Sequence, residues 1–238
     1  FEASYVERVI RAILGWSFAV LFWTFLISTI FLSFRKVPAK TLQRLIRFWA
    51  RTSMRILGVK WGILGEPLLD EPGARVVVCN HQSALDIVWG GLICPPDPLV
   101  IGKKEIIWVP VLNAIWWAFR FIRIDRQNRV AAITKLKGVA EFIRREKRSL
   151  IVAPEGTRSP TGDMLPFKKG PFHVAVEGKL PLVPVVVDGA FQIWPKTTLL
   201  PKPGLLLISI LPAISTEGKG REELTEVMRD CEARIKTE

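Results

Sequence analysis

The sequence predicts an α/β domain with a substantially parallel sheet flanked by helices, preceded by a two-helix membrane-anchoring segment. Three observations carry that expectation. From about residue 59, short apolar runs alternate with helical patterns, as strands joined by crossover helices do. Residues 12–34, AILGWSFAVLFWTFLISTIFLSF, contain no formal charge. The stretch behind them sets a basic stripe opposite an apolar one, the pattern of a helix lying at a membrane interface. A chain of 238 residues can build one large core without needing a second.

Taken in order, 12–34 is long enough as a helix to cross a hydrocarbon layer of about 30 Å. Arg8 and Arg11 precede it and Arg35 and Lys36 follow, so the charge flanks assign no orientation. A helix dipping into one leaflet fits equally. A signal peptide fits poorly, because the apolar run is too long and no small-x-small site follows. In 41–57, Arg44, Arg47, Arg51 and Arg55 recur at steps of three, four and four, which lines one side of a helix. Leu42, Leu45, Ile46, Trp49, Ile56 and Leu57 take the other side. Packing of that apolar side on the protein core is the alternative; its place behind a membrane-length helix favours the interface. Residues 1–57 are therefore expected to anchor a domain spanning 58–238.

In that domain, strands are expected at 74–79, 98–102, 119–124, 149–153, 182–189 and 205–210. Helices are expected at 84–92, 107–118, 131–147, 170–177 and from Gly220 onward. The Pro-rich stretches at 95–98 and 195–203 suit loops or lids.

Composition narrows the partners. A net charge of +12 favours a nucleic acid, an acidic membrane surface or a phosphorylated substrate. No nucleic-acid-binding motif stands in the sequence, and the arginines of 44–55 adjoin the apolar helix. Nine Trp and thirteen Phe against one Tyr suit contact with something apolar, or a Trp-rich core. Cys79, Cys94 and Cys231 form neither an even disulfide set nor a metal-like spacing, so no metal is expected and a reducing compartment is.

Reactive groups in open α/β sheets gather at the carboxyl ends of strands, and four polar clusters follow strands here. In Asn80-His81-Gln82-Ser83-Ala84-Leu85-Asp86, a spacing of five does not bring two side chains onto one face of a helix. For His81 to meet Asp86 it must precede the helix and fold back over the first turn. With Ser83 as N-cap, Asp86 falls at N3, where it could serve only as half of a capping box. Alternatively Asp86 accepts from one imidazole nitrogen and fixes the tautomer, leaving the other nitrogen to take a hydroxyl proton. Pro154-Glu155-Gly156-Thr157-Arg158 suits a turn with open backbone N–H groups and a guanidinium for a planar anion, or an ordinary Gly turn with a surface ion pair. Arg126, beside Asp125 in 123–129, suits phosphate or a local salt bridge. The lysine pairs at 103–104 and 168–169 suit solvated surface.

In their order, these clusters resemble the glycerolipid acyltransferase family, especially the bacterial 1-acylglycerol-3-phosphate acyltransferases. NHQSALD is similar to that family's first motif, N-H-x-x-x-x-D. KKEIIWVP and RIDR resemble its second block, APEGTRS its third and LPLVPV (180–185) its fourth. The resemblance runs over roughly residues 60–215. It implies that His81 is the general base and Asp86 its orienter. It further implies that Arg126, Glu155, Gly156, Thr157, Arg158 and Lys104 bind a phosphate-bearing acceptor, and that Pro184 shapes the pocket. The implied reaction is direct acyl transfer from acyl-CoA or acyl carrier protein to the sn-2 hydroxyl of lysophosphatidate. No acyl-enzyme and no other cofactor is expected, and His173 has no catalytic part. The expected partners are membrane lipids, the lysophospholipid acceptor and the thioester donor, at the cytoplasmic face of a bacterial inner membrane. Ala153, Arg120, Arg123 and Asn113 depart from the residues common in the family, so another lysolipid, such as a lyso-ornithine lipid or lysophosphoglyceride, stays open as acceptor. A basic membrane-binding protein without activity is the alternative of another class.

Overall fold

The computed structural model describes residues 3–33, 36–65, 67–124, 136 and 138–237, with Lys103, Lys104 and Ile106 described by backbone only. The elements run α1 (Tyr5–Leu32), α2 (Ala39–Leu57), β1 (Val59–Gly65), β2 (Arg75–Cys79), α3 (Asp86–Leu92), β3 (Pro98–Lys103), a 3-10 turn (Lys104–Trp108), α4 (Pro110–Ala118) and β4 (Ile122–Ile124). They continue with α5 (Val139–Glu146), β5 (Ser149–Val152), α6 (Gly170–Gly178), β6 (Leu182–Asp188), α7 (Ala190–Ile193), β7 (Gly204–Ile210) and α8 (Leu224–Thr237).

Among the described residues, seven strands form one sheet in the order β1-β7-β6-β2-β5-β3-β4. Every neighbouring pair is parallel except β6 with β7, which matches the expected α/β class. Side chains alternate across it as the pleat requires. Val77, Cys79, Val183, Val185 and Val187 face a core shared with α1, α2, α3 and α4. Val76, Val78, Leu182 and Val186 face a second core, shared with α5, α6 and α8. From β2 the chain crosses by α3 to β3, and from β5 it crosses by α6 to β6 on the opposite face. The two connections therefore leave adjacent strands in opposite directions, which opens a crevice beyond the carboxyl ends of β2 and β5.

The N-terminal helices revise the sequence expectation in three respects. α1 begins at Tyr5, seven residues before the uncharged run, because Ser4 Oγ accepts the Glu7 N–H at 3.2 Å and Glu7 pairs with Arg11 one turn later. α2 puts its apolar stripe into the protein: Ile46, Trp49, Ala50, Met54 and Leu57 are buried. Gly91 of α3 admits that stripe, since a Cβ there would sit 2.8 Å from the Ala50 Cβ. Arg47 is likewise committed inward, donating to the Cys94 carbonyl and pairing with Asp70 at 2.6 Å, while Arg44, Arg51 and Arg55 stay exposed. Finally, α1 packs on the sheet side through Trp23, Leu26 and Ile30, with Trp23 edge-on to Trp49 at 5.1 Å. Residues 1–57 thus share a core with the domain behind them. The outward side of α1, with Trp16, Leu21, Phe25, Phe31 and Leu32, is exposed, and the helix is long and apolar enough to cross a membrane.

Elsewhere the strand expected at 119–124 shortens to Ile122–Ile124, because Arg120 at φ 56° closes α4 and Phe121 N–H returns to the Trp116 carbonyl. β1, α7 and the later start of α3 were not expected. Of the helix expected at 131–147, residues 131–135 and 137 lie outside the described residues. Two departures from the family pattern meet each other: Arg123 donates to Asn113 Oδ1 at 2.6 Å.

Candidate active site

The site begins where β2 ends. Val78 is in register with Val152 of β5, and Cys79 with Val185 of β6, so the loops that follow β2 and β5 emerge side by side. Asn80 continues the sheet with its side chain. Its amide donates to the Val187 carbonyl at 2.8 Å and accepts the Val187 N–H at 2.9 Å, replacing one rung of a strand ladder. Buried, and doubly bonded, Asn80 holds the next residue at a defined height above the sheet.

That residue is His81. Its backbone N–H donates to Glu155 Oε1 at 2.6 Å, and its carbonyl accepts the Ser159 N–H at 2.9 Å. The loop after β5 therefore clamps His81 from both sides. Its ring reaches forward, and Nδ1 meets Asp86 Oδ2 at 2.5 Å. An ionised carboxylate only accepts, so in the neutral imidazole Nδ1 carries the proton and Nε2 presents a lone pair. Nε2 has no hydrogen-bond partner among the described residues.

Asp86 is the first residue of α3, not its third as expected, and Ser83 is not the N-cap. Ser83 instead folds the intervening turn: its Oγ accepts the Leu85 N–H at 3.0 Å and donates to the Trp194 carbonyl at 2.7 Å. The same Trp194 carbonyl accepts the Ala84 N–H. Half of the capping box nevertheless exists, because Asp86 Oδ2 also accepts the Ser83 N–H at 3.2 Å. Asp86 Oδ1 accepts the Trp89 indole N–H at 2.8 Å. One carboxylate thus serves the turn, the imidazole and a buried tryptophan, and its place at a helix N-terminus suits its charge. The same carboxylate oxygen therefore meets both the Ser83 N–H and the imidazole.

Glu155 is 2% exposed. Its second oxygen accepts the Leu165 N–H at 2.9 Å, so both oxygens are taken by backbone. Burial raises its carboxyl above the ordinary value, opposed by the two backbone bonds and His81, with Asp86 adding to the rise. Expected to bind the acceptor, Glu155 instead ties the loops after β2 and β5 together. Gly156 turns the chain at φ 74°. Thr157 is exposed and Arg158 half-buried, and neither side chain has a hydrogen-bond or ion-pair partner among the described residues. Arg126 lies outside the described residues, as does the side chain of Lys104, which opens the 3-10 turn after β3. Pro184 sits within β6 opposite Val78. Among the described residues no three His, Cys, Asp or Glu side chains cluster to hold a metal ion.

Asn80, Ser83, Trp89 and Trp194 complete the constellation, and sequence reasoning assigned none of these roles to them. Asn80 carried a signal, as a polar residue at a strand end beside a histidine, and Ser83 carried one only as an N-cap candidate. The others depend on partners that the fold brings together.

A family model for acyltransferases matches residues 65–188. The chain is 38% identical over 167 residues to a 1-acyl-sn-glycerol-3-phosphate acyltransferase of Cocos nucifera, covering 68% of this chain and 54% of that protein. It is 39% identical over 178 residues to one of Saccharomyces cerevisiae, covering 72% and 57%. With one of Escherichia coli it shares 31% over 159 residues, covering 67% and 64%. The chain therefore spans between half and two thirds of the length of these curated relatives. Its fold matches the crystal structure of the 1-acyl-sn-glycerophosphate acyltransferase PlsC from Thermotoga maritima with a TM-score of 0.77 at 22% identity, over 98% of this chain and 97% of that one.

Proposed function

The chain belongs to the acyltransferase family, and from that premise we propose that it moves a fatty acyl group from an acyl thioester to the sn-2 hydroxyl of lysophosphatidate, giving phosphatidate. The observation that carries this reading is the 2.5 Å contact between His81 Nδ1 and Asp86 Oδ2, with Nε2 left open. Nε2 takes the acceptor hydroxyl proton as its oxygen attacks the thioester carbonyl, and Asp86 stabilises the positive charge that forms on the ring. The tetrahedral intermediate collapses, the C–S bond breaks, and the departing thiolate recovers the proton from His81. Coenzyme A or an acyl carrier protein leaves as the free thiol.

Direct transfer is supported by the cysteines. Burial, and then Asp86 and Glu155, hold the Cys79 thiol far above its ordinary range, so it is a poor nucleophile at neutral pH. Arg158, with Arg126 and Lys104, is the proposed ligand set for the acceptor phosphate, as bidentate guanidinium and point-charge ammonium chemistry suits.

The exposed apolar side of α1, a helix long and apolar enough to cross a membrane, supports membrane association. We further propose that α1 lies in the plane of one leaflet rather than spanning. Two contacts support this: Arg8 donates to the Pro201 and Leu200 carbonyls near one end of α1, and Phe31 meets Trp117 at the other. A spanning helix would leave the body at one of its ends. The cytoplasmic face of a bacterial inner membrane, with its supply of acyl thioesters, is the proposed location.

The test uses purified protein in mixed micelles with lysophosphatidate and acyl-CoA of several chain lengths. Expected is acceptor-dependent release of free thiol with phosphatidate as the product by mass spectrometry. Release that ignores lysophosphatidate, or none at any chain length, would overturn the reading.

A further inference from the structure

The turn that carries Arg158 holds a second cation. Gly156 has a left-handed backbone, and a Cβ built on it would lie 2.6 Å from Lys168 Nζ, 3.1 Å from its Cε and 3.2 Å from its Cδ. The Lys168 side chain therefore lies along the turn, in the space any larger residue at 156 would need. Its root is fixed, since Lys168 N–H donates to the Pro154 carbonyl at 2.9 Å. Three residues earlier, the Leu165 N–H binds Glu155. The ammonium is exposed and has no acidic partner among the described residues. Asp163, the nearest carboxylate in sequence, accepts from Thr161 Oγ1 at 2.8 Å, and Glu155 faces inward and is satisfied by backbone. On the other flank of the turn, Ser159 N–H binds the His81 carbonyl, so the cations stand on a loop bonded to the backbone of His81.

We propose that Lys168 and Arg158 together seat the phosphate of the acceptor, and that Lys168 sets the preference for a phosphomonoester. This rests on the acyl-transfer reading and deepens it. A phosphomonoester carries between one and two negative charges at neutral pH, with a second pKa near 6; a phosphodiester carries one. A second cation rewards the additional charge, and lysine is a suitable point-charge partner for it. Glycine at 156 serves two ends, the left-handed turn and the room for this side chain.

The experiment compares wild type, Lys168→Met and Lys168→Arg in three titrations: lysophosphatidate, the phosphodiester acceptor lysophosphatidylglycerol, and acyl-CoA. For Lys168→Met the KM for lysophosphatidate should rise about tenfold to a hundredfold, with kcat within about twofold. The phosphodiester and acyl-CoA constants should move by less than about threefold, and Lys168→Arg should recover most of the loss. An unchanged KM for lysophosphatidate overturns the proposal. So does a rise confined to acyl-CoA, which would assign Lys168 to the phosphates of the donor. A fall in kcat alone, without rescue by arginine, would make Lys168 structural and overturn it too. If wild type acylates no lysolipid, the acyl-transfer reading falls. Equilibrium dialysis with glycerol 3-phosphate then decides the seat: weaker binding by Lys168→Met supports it, and equal binding overturns it.

Discussion

His81 and His173 each face a carboxylate, but their surroundings differ in kind. His173 lies on α6 with its Nδ1 3.6 Å from Glu177 Oε1 one turn away, too far for a hydrogen bond. Glu177 is held instead by Arg221 at 2.8 Å. The pair at His173 is a local helix contact in solvent, of a kind that contributes a few tenths of a kcal/mol. His81 meets Asp86 at 2.5 Å, and the partners that hold this arrangement are remote in sequence. Glu155 lies 74 residues from His81, Val187 lies 107 from Asn80 and Trp194 lies 111 from Ser83. A side chain restrained from several elements keeps one orientation, and that is what proton transfer at a fixed distance requires. The contrast teaches that one histidine–carboxylate pair differs from another in how many remote elements hold it still.

The contrast breaks most sharply by removing the held imidazole. His81→Ala should lower kcat by about 10²–10⁴-fold with the unfolding midpoint within a few degrees, read by thiol release and circular dichroism on one preparation. A folded variant with wild-type turnover would reduce the pair to a helix-start device.

Next in size is the clamp behind His81. Glu155→Gln leaves an amide that can accept from only one of the two backbone N–H groups, which should destabilise the fold by about 1–3 kcal/mol, measured by urea unfolding. The pH dependence has a definite sign. Burial, the leading cause, raises the Glu155 carboxyl in the folded state. Its contribution is therefore fully present below the unfolded Glu value, about 4.3, and declines as pH rises through the raised folded value. The stability gap between wild type and Glu155→Gln should narrow from acid toward neutral pH. A gap that widens over that range would contradict a buried, raised carboxyl.

The smallest effect belongs to the other histidine. His173→Ala should leave kcat and KM within about twofold, since surface substitutions shift stability by about half a kcal/mol or less. A large loss of activity there would dissolve the distinction between the two regions.

The sequence made the layered architecture visible wherever a strand is buried on both faces. RVVVC and LVPVVVD are near-continuous apolar runs, and they are the central strands β2 and β6. β1, VKWGILG, escaped notice because it sits at the sheet edge, half exposed and interrupted by Gly62. The amphipathicity of α2 was legible, but periodicity says only that an apolar side exists; burial of Trp49 and Met54 shows that the protein itself covers it. At the site, the five-residue spacing announced that His81 must stand before the helix. The turn that makes this possible was invisible, because the Ser83 hydroxyl bonds to Trp194 across the fold. Glu155 stood out in the sequence, but nothing local says whether a carboxylate points at a ligand or, as here, at neighbouring backbone.

The central claim, that His81 and Asp86 act as one unit in proton removal, is tested most directly by a double-mutant cycle on thiol release with saturating lysophosphatidate. Asp86→Asn should cost about 10²-fold or more, since an amide cannot hold the imidazole in the required tautomer. Combined with His81→Ala, it should cost nothing further, leaving the double variant equal to His81→Ala alone. Losses that multiply would mean that each side chain works independently, and would contradict the account.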